Sequence, residues 1–341
     1  MKSIFPLCTR VRLLRHTMSV SIMKLCAVFL FAALSTLPLT SWAGEGGGSH
    51  YTPGTRGDFA MAMIGPKGWY LRNELIYLDG KIGPTTLGNT VFLEAEQQVW
   101  LNTAKLSYLS DSRVLGGRFG AVLSIPLVID ADLSGEVAKL FPSERKANRS
   151  GLADMSVTGI LNWKEGNFNY NAGLSLYAPT GSYDADRILN LGRNYWTLNP
   201  FFAFTWMHPK RGHEVSLTTG YMVNSENEDT DYQSGSEFHV DFHLAQHFSS
   251  KFAIGVDGYY YKQLTDDEGP LLDQANALLV SLGKDSLGGF KGEAFGLGPA
   301  VKYTFTVGEK DITVIAKWLH DLDATNRFET DIAMCAIAFK F

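Results

Sequence analysis

The stretch that decides the fold is FHVDFHLAQHF, residues 238–248, in which apolar and polar side chains nearly alternate. One set of alternate positions carries Phe238, Val240, Phe242, Leu244 and Phe248. The intervening positions carry His239, Asp241, His243 and His247. Successive side chains of a β-strand point to opposite faces of a sheet, so the pattern predicts a strand with one apolar and one ionisable face. Its length exceeds the roughly 5–6 residues usual in soluble sheets and suits a tilted membrane-crossing strand of about 9–11.

Eleven other segments repeat this alternation, and most have a similar length. They are residues 68–78, 98–109, 117–129, 152–163, 168–178, 195–207, 213–223, 251–263, 293–305, 311–320 and 328–341. The connections between strands alternate in length, with short turns at 164–167, 208–212 and 249–250. Outer-membrane barrels have this parity, with short periplasmic turns and long extracellular loops. Residues 68–341 are therefore predicted to form an all-β, transmembrane antiparallel barrel of about twelve strands. A soluble sandwich would not separate its loops by parity.

The bulk composition fits this interpretation once it is recognised that the apolar and polar faces of each strand are averaged together. The chain has 341 residues, 45% hydrophobic and 19% charged, with a formal net charge of −5. Its mean hydropathy of −0.04 resembles that of a soluble protein, but the two faces of a membrane strand cancel in any mean. Abundant aromatic residues exclude a disordered chain. The acidic charge argues against nucleic-acid binding.

Residues 1–43 are predicted to be a cleaved secretory signal peptide. They carry five basic and no acidic residues, followed by the apolar run 25–39 and the small-x-small sequence Ser41-Trp42-Ala43. This pattern precedes a cleavage site, and the run is shorter than the roughly 20 residues of a membrane anchor. Met1, Met18 and Met23 remain alternative starts. Cleavage would leave a net charge of −10 and one cysteine, Cys335.

The last strand and the aromatic residues give a second indication of an outer membrane. The chain ends Ala-Phe-Lys-Phe, with Phe341 terminal, as in barrels that the assembly machinery inserts. Tryptophan and tyrosine gather near the predicted strand ends, where interfacial girdles form. We therefore expect outer-membrane lipid, lipopolysaccharide and the barrel assembly machinery to be partners of this chain in a Gram-negative bacterium.

Residues 44–67 precede the first strand and are rich in glycine, with His50 and Tyr51 near their start. An unpaired irregular segment is not stable in hydrocarbon, so it either hangs in the periplasm or folds into the lumen. We expect the luminal position, as in the fatty-acid-channel group of barrels, which have a similar general plan. There, His50 and Tyr51 would lie beside a ligand path or form part of a structural plug.

Alternation places many polar side chains in the predicted lumen. Those assigned to a ligand path or to the lumen lining, together with His50 and Tyr51, are Arg72, Glu74, Arg118, Asp154, Asn171, Glu214, His239, Asp241 and His243. Lys105, Asp257, Lys302 and Lys317 share this orientation. Because both charge signs are present, these groups are expected to pair, either as a structural network or along a substrate or proton path.

Other chemistry is only weakly indicated. His239, Asp241 and His243 are types that ligate metals, but residues two apart on one flat strand do not converge on one ion, so lumen lining is favoured. Leucines in 264–292 recur at helical spacing and predict a short amphipathic helix at the mouth, either a lid or packed against other loops. Zinc-type, HExxH, GxSxG and phosphate-loop motifs are missing from the sequence. No cofactor, metal or enzymatic activity is therefore predicted.

Several short motifs resemble one family. They are the glycine-rich start 47–54, Gly57-Asp58-Phe59-Ala60, residues 68–73, Gly116-Gly117-Arg118 with 125–128, and residues 178–183. The sequence is similar to the MetA-pathway of phenol degradation family of Gram-negative outer-membrane β-barrel proteins. The resemblance implies passage of aromatic or other hydrophobic compounds and brings no catalytic residues. We therefore predict a passive outer-membrane channel for small hydrophobic or aromatic solutes. The alternatives are a structural or interaction barrel with a closed lumen and, second, an outer-membrane hydrolase.

Overall fold

The computed structural model describes residues 47–87, 90–137 and 146–341. In chain order the elements are β1 (Gly68–Ile82), β2 (Thr85–Leu87), β3 (Thr90–Val114), β4 (Gly117–Val137), β5 (Lys146–Leu152), β6 (Ser156–Glu165), β7 (Phe168–Tyr177), β8 (Thr197–Met207), β9 (His213–Asn224), β10 (Glu226–Asn227), β11 (Tyr232–Gln233), β12 (Glu237–His247), β13 (Phe252–Gln263), α1 (Pro270–Ser281), β14 (Glu293–Val307), β15 (Lys310–Thr325) and β16 (Glu329–Lys340). Within these described ranges, no helix is long and apolar enough to cross a membrane. The predicted signal peptide lies outside the described residues.

Twelve of the strands close into one antiparallel barrel. The order around it is β1, β3, β4, β6, β7, β8, β9, β12, β13, β14, β15 and β16. The last strand pairs with the first, from Tyr70 opposite Lys340 to Lys81 opposite Glu329. Closure gives every strand two neighbours, which removes the unpaired backbone groups of a sheet edge. The predicted twelve-stranded transmembrane barrel is confirmed.

The two faces of each strand meet different surroundings, as the alternation requires. In β12, Leu244 is 51% exposed on the outside, whereas His239, Asp241 and His243 are fully buried inside. Strand β7 shows the same contrast between the outward residues Leu174 and Leu176 and the inward Ser175. The outer apolar face is therefore the surface that contacts hydrocarbon, and the polar face lines the lumen.

Connections at one end of the barrel are short and those at the other end are long. The short turns are 115–116, 166–167, 208–212, 248–251 and 308–309. They share their end with Gly68 and with Phe341, whose amide donates a hydrogen bond to the Trp69 carbonyl (3.1 Å). Because outer-membrane barrels have short periplasmic turns and long extracellular loops, this end is periplasmic. The opposite end carries β2, β5, β10, β11 and α1.

The largest difference from the sequence prediction is the height of β3 and β4. Both strands continue beyond the predicted limits of 98 and 129, pairing up to Phe92 and Val137, and β5 adds to the edge of β4. The extension was missed because the outward positions there, such as Glu94, Glu96 and Asp132, are polar. Beyond the bilayer the outer face of a strand meets water. Its outward residues are therefore polar, and the alternation of apolar and polar residues is lost.

The predicted amphipathic helix is present as α1. Leu272, Ala275, Leu278 and Leu279 are its buried residues. They pack with Val91 at the start of β3 and with Leu287. This arrangement agrees with packing against other loops, the second of the two roles that the sequence left open.

Because the outer face of β7 meets hydrocarbon, charge placed there should destabilise the barrel. We expect Leu174→Arg to lower the free energy of unfolding by about 2–4 kcal/mol, the usual effect of arginine near a bilayer midplane. Leu115→Arg, at an exposed turn, is the matched control and should change it by about 1 kcal/mol or less. Denaturant unfolding from lipid vesicles measures both. Equal losses would contradict the assigned outer face.

The parity of the connections predicts which residues face the medium. Cys335 is the one cysteine in the described ranges and lies on the lipid face of β16. On intact cells we expect a membrane-impermeant maleimide to label Ser281→Cys, in exposed α1, and not Lys210→Cys, in a short turn. Labelling of only Lys210→Cys would show that the orientation is the reverse of the one assigned.

Candidate functional site: the occupied lumen

Residues 47–67, here called the luminal segment, lie inside the barrel along its length. Gly47 is beside Asn326 and Arg327 at the long-loop end. At the other end, Arg118 Nη1 donates to the Gly65 carbonyl at 3.0 Å, shortly before β1 begins. A glycine is required at Gly54, whose φ is +73° and whose missing Cβ would collide with Leu319 and Tyr259. These contacts hold residues 47–67 inside the barrel.

The upper part of the segment is held through His50. Its Nδ1 lies 2.7 Å from Thr197 Oγ1, and its Nε2 lies 2.9 Å from Asp154 Oδ2. The ring also stacks on Tyr177 with centroids 5.1 Å apart. Asp154 accepts two further hydrogen bonds, from the backbone amides of Gly181 (2.8 Å) and Arg193 (2.7 Å). His50 is thus the link between the segment and two long loops.

Burial shifts the pKa values of this pair. Burial, reinforced by the Arg193 charge, lowers the pKa of His50 below its ordinary value, although Asp154 and Glu237 oppose this. Burial alone would raise the pKa of Asp154, but hydrogen bonds from His50, Gly181 and Arg193 outweigh it and hold the pKa low. The docked state therefore favours an ionised Asp154 beside a neutral His50.

The middle of the segment is fixed by Tyr51. Its hydroxyl donates to Asp241 Oδ2 at 2.6 Å, and its ring stacks on His239 with centroids 4.1 Å apart. Tyr51 is 1% exposed. Burial, followed by the charge of Asp241, raises the pKa of Tyr51 well above its ordinary value. The phenol therefore stays protonated and serves as a donor to a buried carboxylate.

Charged side chains of the wall bind the segment backbone below Tyr51. Lys317 Nζ donates to the carbonyls of Gly54 (2.6 Å) and Gly57 and lies 3.2 Å from Asp257. Asp257 in turn bonds to His243 Nδ1. Buried charged groups of the wall thus hold the segment through Lys317, which the Asp257 carboxylate accompanies.

A second charged group lies on β1 and β3, separated from the Lys317 strand β15 only by β16. Arg72 bridges Asp58 of the segment and Glu74 of β1, and Lys105 is 2.8 Å from Glu74. Burial alone would raise the pKa of Asp58, but the nearby Arg72 and Lys317 cations hold it below its ordinary value. Ion pairs therefore attach Asp58 of the segment to the wall at β1.

The lowest part of the segment is held through hydrogen bonds of its backbone amide and carbonyl groups. Glu214 accepts from the Ala60 amide and lies 2.6 Å from His247 Nε2. The Ala62 amide donates to Thr205 Oγ1 at 2.9 Å, and its carbonyl accepts from Asn162 Nδ2 at 2.8 Å. The side chain of Asn171 lies 2.7 Å from that of Asn162. The wall thus supplies the hydrogen bonds that this irregular backbone needs in a buried position.

Two cavities remain beside the segment. The upper one, of about 270 Å³, opens among the long loops. The lower one, of about 460 Å³, lies between the segment and the wall formed by β1, β3, β4 and β6–β8. Tyr51 and Thr52 border both cavities. The lower cavity mixes charged groups with an apolar set, Ile76, Leu101, Val122, Ile160 and Phe201.

All eleven residues that the sequence assigned to the lumen lie there, but they form several small groups instead of one centre. His239 and Asp241 lie 3.6 Å apart and also contact Asn199 and Tyr51, whereas His243 bonds to Asp257. Within the described residues, no group of three ligand-type side chains is placed to hold a metal ion. Their role in a ligand path remains a prediction.

Some contributors were not recognised from the sequence. Arg56 and Asp58 belong to the luminal segment, and Glu237 has the same strand parity as His239, so these three could have been found by extending the pattern. The sequence pattern could not reveal Thr197, Tyr177 and Arg193. These residues lie at strand ends or in a loop, and only the closed barrel sets their positions.

These features define a transmembrane β-barrel of the outer-membrane type whose lumen holds its own N-terminal segment. Residues 80–334 match the model of the family described as "Putative MetA-pathway of phenol degradation", and the chain belongs to this family. The matched range begins within β1, so the glycine-rich start that suggested the resemblance lies outside it. A search of curated protein sequences finds no match.

One solved structure supports the fold, and two others are more distantly similar. The COG4313 outer membrane channel from Pseudomonas putida F1 superposes with a TM-score of 0.62 at 14% identity, covering 83% of this chain and 99% of that one. A FadL homologue from Pseudomonas aeruginosa has a TM-score of 0.36 at 11% identity, with coverages of 89% and 97%. A deltaS2S3 mutant of the monoaromatic hydrocarbon channel TodX has a TM-score of 0.37 at 9% identity, with coverages of 81% of this chain and 90% of that one. At these identities the first similarity establishes the barrel fold.

The pKa shift of His50 predicts that acid weakens docking of the luminal segment. A released segment would carry a histidine with the ordinary pKa of 6.5 and would gain a proton below that pH. The docked His50 stays neutral longer, so release becomes more favourable as the pH falls, by up to about tenfold per unit. Protonation of Asp154 would also favour release, but only below pH 3.8, the ordinary pKa of its carboxyl group.

Labelling of a Thr52→Cys reporter between pH 7.5 and 5.5 measures this release when it is divided by labelling of Lys210→Cys, whose exposed position corrects for the loss of thiolate at low pH. This ratio should increase as the pH falls. The increase should be smaller when His50→Gln is added. His208→Gln, in an exposed turn, is the matched control and should leave the pH profile unchanged. A profile that His50→Gln does not alter would refute the assignment.

Proposed function

We propose that the protein is an outer-membrane channel that lets small hydrophobic or aromatic compounds cross passively. The observation that carries the proposal is the lower cavity, because apolar side chains line one wall of a lumen that is otherwise rich in charged groups. Membership of a family described by phenol degradation supports the substrate class. The name of one similar structure, an outer membrane channel, is consistent with transport.

Movement through such a channel requires only differential binding along the path. A solute would enter among the long loops, pass Tyr51 and Thr52, which border both cavities, and continue along Val122, Ile160 and Phe201. Burying apolar solute surface against these side chains is favourable by about 25 cal/mol per Å². No energy source is needed, and the direction follows the concentration gradient.

The proposal includes no catalysis. The histidine–carboxylate pairs of the lumen, His50–Asp154, His243–Asp257 and His247–Glu214, are each engaged with the segment or wall. Ser216 is 1% exposed and donates to Glu214, so it does not present a free nucleophile. These contacts disfavour the hydrolase alternative.

Lipid, lipopolysaccharide and the barrel assembly machinery are proposed partners as well. The apolar outer belt would contact lipid, and Phe341, which is 56% exposed beside the closing strand, would be available to assembly factors. The charged rim at the long-loop end would meet lipopolysaccharide.

The occupied lumen favours one alternative, a barrel that is closed until the segment moves. Phenol uptake into vesicles with a lipopolysaccharide outer leaflet distinguishes the two functions. We expect wild-type vesicles to exceed empty ones several-fold. Uptake only after deletion of residues 44–60 would support the closed barrel, and equal uptake by wild-type, deletion and empty vesicles would exclude a channel.

A matched pair of variants tests the path itself. Val122 borders the lower cavity, and its neighbour Leu123 is 36% exposed on the lipid face. Val122→Trp should fill the cavity and lower phenol uptake several-fold, whereas Leu123→Trp should leave it unchanged. Equal uptake by both variants would place the path elsewhere.

A further inference from the structure

The upper cavity, here called the vestibule, differs chemically from the lower one. Its lining combines polar residues with an apolar set, Leu78, Leu87, Val99, Val128, Ile188 and Ile332. Its volume of about 270 Å³ is near the lower end of small-molecule sites. The vestibule is therefore large enough for a compound with one ring.

The charged groups that border the vestibule are unequal in sign. They are two guanidinium groups, Arg193 and Arg327, and one carboxylate, Asp321. Asp321 is already engaged, since it accepts from the Tyr259 hydroxyl and from the Thr330 amide (2.8 Å). The lining thus has one positive charge more than its own carboxylate can balance.

Arg327 is held in place but incompletely bonded. Its guanidinium carbon lies 3.9 Å from the centroid of the Tyr261 ring. Its Nη1 is buried and has no hydrogen-bond partner among residues 47–87, 90–137 and 146–341. A buried, unbonded donor of a charged group is costly, and stacking on an aromatic ring leaves the planar edge of the guanidinium available to an acceptor.

Arg193 approaches the same opening from another loop. Its guanidinium lies against Gly48, where a Cβ would overlap it. The backbone amide of Arg193 is bonded to Asp154 (2.7 Å), which fixes the loop that carries the side chain. Gly47 and Gly48 therefore lie between Arg327 and Arg193 at the top of the luminal segment.

We infer that the vestibule binds a small aromatic carboxylate, with the carboxylate on Arg327, the ring on the apolar part of the lining and Arg193 adding a second positive charge at the same opening. Arginine pairs with carboxylates through two parallel hydrogen bonds, and such an acceptor would satisfy the unbonded Nη1. A neutral ring compound would fill the same space without balancing the charge. The inference rests on the proposed channel function for its physiological role, because it names a substrate class of that channel.

Binding of three one-ring probes to the full-length protein in nanodiscs tests the inference. Equilibrium dialysis at pH 7.5 and low salt would compare benzoate, benzyl alcohol and benzylammonium, which differ mainly in charge. We expect benzoate to bind at least about tenfold more tightly than either of the others. Equal affinities, or tighter binding of benzylammonium, would overturn the inference.

Charge-removing variants locate the site. Arg327→Gln and Arg193→Gln should each weaken benzoate binding by about tenfold and leave benzyl alcohol unchanged. Arg187→Gln is the matched control, because Arg187 lies in the same loop as Arg193 but pairs with Asp184. Should a glutamine variant not fold, Arg327→Lys keeps the charge and loses the paired hydrogen bonds, so it should weaken benzoate binding less. Unchanged benzoate affinity in folded Arg327 and Arg193 variants would refute the site.

The inference and the proposed function fail in different ways. Charge-selective benzoate binding without phenol uptake by the vesicles would leave the vestibule site intact and remove the channel. Phenol uptake without charge-selective binding would keep the channel and remove the carboxylate site.

Discussion

The structure depends on one constraint, that backbone N–H and C=O groups in hydrocarbon must be bonded within the protein. Twelve strands meet it by closing, with β16 returning to pair with β1. Closure then forces every second side chain into a lumen that is narrow and partly dry. Polar groups placed there must find partners inside the barrel, and the luminal segment supplies many of them.

The segment and the lumen are therefore best regarded as one unit. Asp241, Glu214 and Lys317 each bind an atom of the segment. Without the segment, these side chains would keep fewer partners in a confined space, which is unfavourable for buried charges. In return, the segment obtains hydrogen bonds for a backbone that forms no regular strand. This mutual requirement explains how a wall rich in ionisable groups is compatible with a stable barrel.

The luminal segment fills one side of the lumen more completely than the other, and the proposed solute path lies in the space that remains. The segment packs closely on β12, β13 and β15, where His239, Tyr259 and Leu319 meet it. On the other side, a cavity remains against β1, β3, β4 and β6–β8. Above it the vestibule has a different balance of charge. A solute crossing this barrel would therefore meet two chemically distinct environments in succession.

The sequence by itself determined the twelve strands, their inward and outward faces and the end that carries the long loops, because these follow from period-two alternation and local turn composition. It also determined which residues line the lumen, Arg72 and His243 among them, since parity alone decides orientation. Only the tertiary structure decided that Tyr51 meets Asp241, that His50 meets Asp154 and that Arg193 and Arg327 share an opening. Those pairs are separated by more than a hundred residues, and their distances depend on how the strands are staggered around the barrel. Alternation carries no information about that stagger, so the partners of the luminal residues had to come from the closed fold.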